Sequence, residues 1–326
     1  MKVLVTGATG FTGNILAEKL LGQGHDVNVF IRNREKLNSP NAAKMQVFVG
    51  DITDTAIMKE AVDGVEIVYH IAALFRQAGV PDKVYSDVNV KAVGDLLRIA
   101  HNAGVKRLVH CSTVGVHGHI EDDLADETYR VSPGDIYQVT KLAGERKVLE
   151  YYKETGFPVS VIRPGPIYGP GDMRLLKLFK LANKSITPIL GDGEVYFNMV
   201  YVHDLVDVFI LAGTKDEAVG QVFLGAGPEN WKLNDIVDTI AGILKRPLRR
   251  FHMPAWPFQI AGTICEKICI PLKIEPPIYK RRVDFFTKSR SFTIDKSRKI
   301  LGWNPKYDYN RGLAETATWY KEQNLL

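Results

Sequence analysis

Two side chains four residues apart carry the most specific chemistry in this sequence, Tyr137 and Lys141 in Tyr137-Gln138-Val139-Thr140-Lys141. On a helix, positions i and i+4 share a face, so the ammonium can act on the phenol. A free tyrosine titrates at about 10 and is a poor base near neutrality. A neighbouring cation favours tyrosinate and is expected to lower that value. A phenol so placed can pass a proton to or from a substrate oxygen while a hydride moves at the attached carbon. The spacing alone is common on surface helices, and its weight comes from what precedes it.

What precedes it is Gly7-Ala8-Thr9-Gly10-Phe11-Thr12-Gly13, which follows the β-branched run Lys2–Thr6 and opens a helical pattern. A phosphate can reach backbone N–H groups at a helix N-terminus only where side chains do not block it. Gly7 permits the tight turn, Gly10 the approach of the phosphate, and Gly13 close packing of helix on strand. Thr9, Phe11 and Thr12 complete the proposed cradle of a dinucleotide. Near the end of the second apolar run stands Phe30-Ile31-Arg32-Asn33-Arg34-Glu35-Lys36, where a carboxylate would bind the ribose of NAD. Arg32 there, helped by Lys36, suits a 2′-phosphate instead, so NADP is the expected cofactor, with NAD possible.

Elements that position these residues are legible from periodicity. Short β-branched runs at Lys2–Thr6, Val27–Ile31, Gln46–Val49, Ile67–His70, Arg107–Cys111 and Val159–Arg163 alternate with amphipathic stretches at Asn14–Leu21, Asp87–Asn102 and Thr140–Lys153. Strand and helix in alternation imply parallel pairing through crossovers, hence an α/β, Rossmann-type doubly wound sheet. After Gly171 the pieces shorten, with strands expected at Val200–Val202 and Val222–Leu224 and helices at Leu233–Leu244 and Leu313–Gln323. The expected division is a dinucleotide domain over 1–170, with 196–225 returning to it, and a smaller substrate domain over most of 171–326. The apolar stretch Pro254–Pro271 has three open readings: a pocket lining, ordinary core, or a helix lying on a membrane surface.

With Thr6 ahead of it, the Gly-x-x-Gly-x-x-Gly loop resembles the fingerprint of the extended short-chain dehydrogenases/reductases, which include nucleotide-sugar epimerases, dihydroflavonol reductases and 3β-hydroxysteroid dehydrogenases. The resemblance implies that Asp51, followed by Ile52, contacts adenine, that Ala72 and Ala73 lie against the dinucleotide, and that helical Asn89 steadies that strand. It implies a catalytic hydroxyl in His110-Cys111-Ser112-Thr113-Val114-Gly115-Val116-His117-Gly118. Counting back from Gly118 aligns Thr113 with it and Ser112 with its predecessor. Arg163-Pro164-Gly165-Pro166-Ile167-Tyr168-Gly169-Pro170-Gly171 resembles the segment that covers the nicotinamide, through Pro164 and Ile167. In the family, the lysine equivalent to Lys141 also holds the nicotinamide ribose. The resemblance further implies a homodimer through the helix carrying Tyr137 and the one before the fifth strand. Nucleotide-sugar enzymes of the family hold the diphosphate with two arginines; here Phe197 or Asn198 stands at the first position, and Arg281 or Arg282 at the second.

Composition narrows the classes. Across 326 residues, 45% are hydrophobic and 24% charged, which describes a globule with a substantial core. The net charge of +5 comes without blocks of like charge, arguing against nucleic acid and leaving room for an anionic small molecule. Three cysteines are too few for a disulfide framework and suit the cytoplasm. No metal is expected, since His-Glu-x-x-His and clustered Cys/His spacings are missing, and no Gly-x-Ser-x-Gly elbow offers an acyl nucleophile. The N-terminus does not read as a signal peptide, nor any segment as a membrane span. The leading expectation is an NAD(P)-dependent enzyme interconverting a ketone and a secondary alcohol on a fairly apolar small molecule. The alternatives are a UDP-sugar 4-epimerase or dehydratase and a non-enzymatic dinucleotide sensor.

Overall fold

The computed structural model describes residues 1–77, 79–121, 124–247, 249–269, 272, 274, 277 and 280–326, with backbone only for 280–282. The first half runs β1 (Lys2–Thr6), α1 (Phe11–Gly22), β2 (Asp26–Ile31), β3 (Gln46–Val49), α2 (Thr55–Ala61) and β4 (Ile67–His70). It continues with α3 (Asp82–Ser86), α4 (Ala92–Asn102), β5 (Arg107–Cys111), α5 (Ile136–Thr155) and β6 (Val159–Pro164). There follow β7 (Ile167–Tyr168), α6 (Leu176–Ala182), β8 (Thr187–Leu190), β9 (Tyr196–Phe197), β10 (Val200–Tyr201), α7 (Val202–Thr214) and β11 (Gln221–Gly225). The chain ends with β12 (Trp231–Lys232), α8 (Leu233–Ile243), β13 (Arg250–Met253), α9 (Trp256–Cys269), α10 (Lys280–Thr287), α11 (Asp295–Leu301) and α12 (Tyr309–Glu322).

Seven strands form one sheet in the order β11-β6-β5-β4-β1-β2-β3, every neighbouring pair parallel. This is the doubly wound, Rossmann-like architecture expected from the alternation. Strands such as Val3-Leu4-Val5 are buried on both sides because helices cover both faces. One face packs beneath α1 and α7, through Leu16, Leu20, Leu205 and Phe209. The other packs beneath α2, α4 and α5, through Met58, Leu96, Leu97 and Val148. A further cluster joins α6, α8 and α12 around Phe179, Ile236, Leu313 and Tyr320. The order of connections reverses between β1 and β4, which opens a crevice at the carboxyl ends of the strands.

The second half departs from expectation at two places: α12 begins at Tyr309, four residues before the expected Leu313, and the expected strand Val200–Val202 is cut short. Val200–Tyr201 is a two-residue strand, and Val202 already opens α7. That helix packs on the sheet beside α1, and with eight of its thirteen residues buried its polar positions are too few to mark its period. Asp204 in its first turn fastens the C-terminal segment. Its carboxylate accepts from the Lys306 and Tyr307 N–H groups at 2.9 and 3.0 Å, and its carbonyl accepts from the Trp303 indole.

Candidate active site

The glycine loop leaves β1 at the crevice. Gly7 has φ +77°, and a Cβ there would lie 2.8 Å from the Ala72 nitrogen, so only glycine lets the loop touch the segment after β4. A Cβ on Gly13 would lie 2.3 Å from the Gly7 carbonyl oxygen, so loop and helix interlock. Gly10 is different. Its backbone is extended (φ −86°, ψ 164°), and a Cβ would meet only the Gly7 oxygen, at 3.3 Å. Gly10 is the N-cap of α1 and supplies no side-chain cap, so first-turn amides and helix dipole face the exposed Thr9–Gly10 side. That is a cradle of the kind a pyrophosphate needs, and the residues present fit a dinucleotide.

Around the cradle, Arg32 and Lys36 are exposed beyond β2, and Asn33 caps the short turn Arg34–Lys36. Burial tends to raise the Asp51 carboxyl, but its bonds from Thr53 and the charge of Arg32 prevail and hold it below its ordinary range. Ile52 behind it is buried in the core beneath α2. Thr6 Oγ1 accepts from Ala72 N–H at 3.1 Å and bonds His70 Nδ1 at 2.8 Å, tying the ends of β1 and β4 together. Ala73 follows, half-buried.

Asn89 locks the next layer. The helical run from α3 to α4 is interrupted by a π-helical turn at Asp87–Lys91, with buried Asn89 at its centre. Asn89 Oδ1 accepts from Leu74 N–H at 2.9 Å, and Nδ2 donates to the Leu74 carbonyl and to Thr140 Oγ1, both at 3.1 Å. One amide therefore holds both the segment after β4 and helix α5. Gly144 makes the approach possible, since a Cβ there would lie 2.2 Å from the Asn89 carbonyl oxygen. Phe75 and Arg76, next to the clamped Leu74, lie on Tyr137. The two rings meet edge-on at 4.9 Å, and the Arg76 guanidinium stands 5.2 Å from the phenol centroid. Arg76 also pairs with Asp135 at 2.6 Å, and Asp135 caps α5 through the Gln138 N–H.

Lys141 is buried one turn along from Tyr137, and its ammonium donates to the Cys111 carbonyl at the end of β5, at 2.5 Å. Burial lowers its pKa, against the pull of Cys111 and Glu145. Lys141 by itself does not lower the Tyr137 pKa. Burial pushes the phenol well up, the Cys111 sulfur adds to this, and Arg76 and Arg174 only partly oppose it. The Lys141 ammonium is turned to Cys111 rather than to the phenol.

The two candidate hydroxyls separate. Thr113 is half-buried, and its Oγ1 accepts from Gly115 N–H at 3.0 Å, which leaves its hydrogen free to donate elsewhere. Ser112 is buried and donates to Glu145 Oε2 at 2.6 Å, away from this cluster. Glu145 takes a two-pronged ion pair from Arg163, at 3.0 and 2.5 Å, and Arg163 in turn donates to His117 Nε2. His117 Nδ1 faces the carbonyls of Tyr129 and Arg130, so it carries the hydrogen, and burial keeps the ring neutral. His117 is thus a strut. Pro164 ends β6, buried, and Ile167 stands half-buried in β7.

Sequence reasoning did not find Arg76, Glu145 or Arg290. Glu145, at i+4 from Lys141 on α5, was the most accessible of them. Arg290 stacks 5.5 Å over the Phe197 ring and donates to the Lys288 carbonyl. Burial and the charge of Arg76 bring it down to about 10. Phe197 and Asn198 are buried, and Asn198 donates to the carbonyls of Gly227 and Glu229, a structural tie. The side chains of Arg281 and Arg282 lie outside the described residues. Among the described residues, no group of three or more His, Cys, Asp or Glu could hold a metal, and no helix is long and apolar enough to cross a membrane.

The profile of the NAD dependent epimerase/dehydratase family matches residues 3–225. This chain belongs to that family. It is an enzyme of the extended short-chain dehydrogenase/reductase kind. A 3 beta-hydroxysteroid dehydrogenase/Delta 5→4-isomerase of Mycobacterium tuberculosis is 31% identical, with 98% of this chain and 90% of that protein covered. A UDP-glucose 4-epimerase of Mycolicibacterium smegmatis is 28% identical over 99% of this chain and the whole of that one. Among solved structures, a UDP-glucuronic acid 4-epimerase from Bacillus cereus in complex with NAD superposes with a TM-score of 0.80 at 22% identity, covering 99% of both chains, and is evidence of the shared fold.

Proposed function

We propose that this enzyme interconverts a ketone and a secondary alcohol on a fairly apolar small molecule, with Tyr137 as general acid/base. The observation that carries the reading is the meeting of Tyr137 and Lys141 of α5 with the clamped segment after β4 and the end of β5, on the same crevice as the glycine cradle. When bound there, a dinucleotide supplies the hydride donor or acceptor. With its pKa raised, Tyr137 stands as a neutral phenol able to donate its proton to the oxygen of a carbonyl as the carbon is reduced. In the reverse direction the phenolate oxygen takes that proton from the alcohol. The Thr113 hydrogen, not engaged by Gly115, donates to the same substrate oxygen and steadies its charge. Lys141 holds the Cys111 carbonyl and keeps two further N–H groups for a ribose. Gly7, Thr9, Gly10, Phe11, Thr12 and Gly13 would hold the pyrophosphate, and Asp51, Ile52, Ala72, Ala73, Pro164 and Ile167 would line the nucleosides.

The substrate class follows from Phe197 and Asn198, which stand where a diphosphate-binding arginine is expected. One observation favours the second reading, a nucleotide-sugar epimerase. Arg290 makes no ion pair among the described residues and would suit a diphosphate. NADP is the preferred cofactor in this reading, through Arg32 and Lys36, with NAD accepted. The reading extends to a dinucleotide unit over 1–170 and 196–225, to a substrate unit over most of 171–326, and to a cytoplasmic homodimer joined through α4 and α5. Tyr137→Phe should leave dinucleotide affinity within about twofold and lower kcat by about 10² to 10⁴. Unaltered turnover on any substrate would overturn the assignment. Titration with NADPH and NADH, followed by ketones, steroids and UDP-sugars, separates the two reactions. Epimerisation of a UDP-sugar with no net cofactor consumption would decide for the second.

A further inference from the structure

Helix α9 turns its largest apolar side chains outward. Trp256, Ile260, Ile264 and Ile268 are 64, 53, 51 and 56% exposed, and Gly262 is the one residue of the helix that is buried. The four sit at i, i+4, i+8 and i+12, so they form one stripe that drifts through ~120° over the length of the helix. Beyond the helix the stripe continues with Leu272 and Ile274, 63 and 57% exposed, and before it stands exposed Phe251 in β13. Single exposed apolar side chains are ordinary, but a contiguous row of this kind marks a binding surface. Of the three readings open for Pro254–Pro271, these exposures exclude core packing for the stripe, and an outward-facing row suits a docking surface better than an enclosed pocket. Ile270 and Pro271 lie outside the described residues.

The charge around the helix says what covers it. Between residues 245 and 290 the sequence carries eleven Lys and Arg against three Asp and Glu, out of 42 and 37 in the whole chain, although Arg290 is stacked on Phe197 and Lys288 is paired with Asp284. The rest of the chain is slightly acidic. Exposed Arg249 and Arg250 sit at the Trp256 end, and exposed Lys267 lies between Ile264 and Ile268. Arg250 gives part of its charge to Asp238, and α10, which packs on α9, opens with Lys280-Arg281-Arg282. We propose that α9 is a membrane-docking helix, lying flat on an anionic lipid surface with its Trp/Ile stripe among the acyl chains and its basic surround on the headgroups. Its 14 residues make ~21 Å, too short to span a bilayer and suited to lying in its plane. Trp256 at one end has the amphipathic ring that settles at the headgroup level. A second copy of this chain is the poorer occupant, because a two-fold contact through α9 would set Arg249, Arg250 and Lys267 of one copy against the same cations of the other.

The test is co-sedimentation of the full chain with vesicles of phosphatidylcholine alone and of phosphatidylcholine with one-third phosphatidylglycerol. Binding should be at least about tenfold tighter to the anionic vesicles and should fall as salt rises. Ile260→Asp and Ile264→Asp should each weaken it by about tenfold or more. Lys267→Glu should weaken it only at low salt. Because these positions are exposed, the variants should melt as the parent does, which circular dichroism checks. Trp256 should show a blue-shifted emission with anionic vesicles, lost in Trp256→Ser. Three results would overturn the proposal: protein left in the supernatant with both vesicle types, equal partition onto both, or a vesicle-indifferent dimer that Ile264→Asp dissociates.

Discussion

Gly10→Ala should separate nucleotide binding from stability. The Gly10 backbone at φ −86° and ψ 164° is open to any residue, and a methyl there meets one atom, the Gly7 oxygen at 3.3 Å. Gly→Ala at a compatible position stabilises by about 0.4–1 kcal/mol through the unfolded chain, which offsets the small give that this contact needs. Apo stability should therefore move by less than about 1 kcal/mol. The methyl nevertheless stands over the first-turn amides, where a phosphate oxygen must come to about 2.9 Å from nitrogen. Overpacking of that size costs about 1–3 kcal/mol, so dinucleotide affinity should fall by roughly tenfold to a hundredfold. Gly13→Ala should behave in the opposite way. Its methyl would lie 2.3 Å from the Gly7 oxygen and 2.8 Å from the Gly7 carbonyl carbon, so backbone must shift and stability should drop by about 1–3 kcal/mol. Urea midpoints on the apo chain and fluorescence titration with NADPH and NADH read the two effects. A Gly10→Ala variant that binds dinucleotide like the parent would refute the cradle.

Asn89→Ala removes three buried hydrogen bonds and should cost about 2–4 kcal/mol; kcat should fall too, because Phe75 and Arg76 lose their anchor against Tyr137, and an unchanged urea midpoint would sink the clamp. Thr113→Val should lower kcat about 10²- to 10³-fold with little change in stability, whereas Ser112→Ala should destabilise by about 1–3 kcal/mol, leaving Glu145 one donor short, and keep turnover. The reverse pattern would transfer the catalytic hydroxyl to Ser112. His70 and His110 are neighbours, fully buried, with centroids 5.4 Å apart and rings tilted by 31°. Burial, helped by Lys141, brings His70 down to about 3 and His110 well below its ordinary range. An unfolded histidine titrates near 6.5, so the unfolded chain takes up protons that the folded one refuses, and stability should fall as pH drops below ~6.5, by ~1.4 kcal/mol per pH unit for each ring. His110→Leu should flatten the dependence of the urea midpoint on pH between 6.5 and 4.5; an identical slope would show that the ring is charged in the fold.

Local features of the site were legible in the sequence, and its long-range partners were not. The glycine loop is a local device, and strand, turn and helix signals around Gly7 to Gly13 agree with each other. The parallel sheet was legible because each strand is a short apolar run between helical patterns. Helix α7 was not, since apolar residues dominate it and its few polar positions, among them His203, Asp207 and Thr214, give its period only weakly. The partners of Ser112 lie 33 residues on, at Glu145, and beyond that at Arg163 and His117. Only folding brings such a buried network together, so the sequence could rank Ser112 behind Thr113 but could not show what Ser112 binds. The direction in which Lys141 turns was hidden for a related reason. Spacing puts Lys141 on the same helix face, but it cannot tell that the Cys111 carbonyl captures the ammonium. In Pro254–Pro271 composition left three readings open, and the exposure of every fourth side chain is information only the fold contains.

A π-helical turn holds one residue more than the α-helical turn it replaces. The turn at Asp87–Lys91 therefore makes the clamp on Leu74 and Thr140 a matter of counting. Deleting one residue there would restore a regular helix and swing α3 and the Asn89 amide by about 100° relative to α4, leaving all the participating side chains in the chain but out of reach. In evolutionary terms, a single-codon insertion is enough to create the grip between the crevice and α5, and a single-codon deletion is enough to release it. A one-residue gap at this point in a homologue would foretell a looser Tyr137 even where every motif residue is retained.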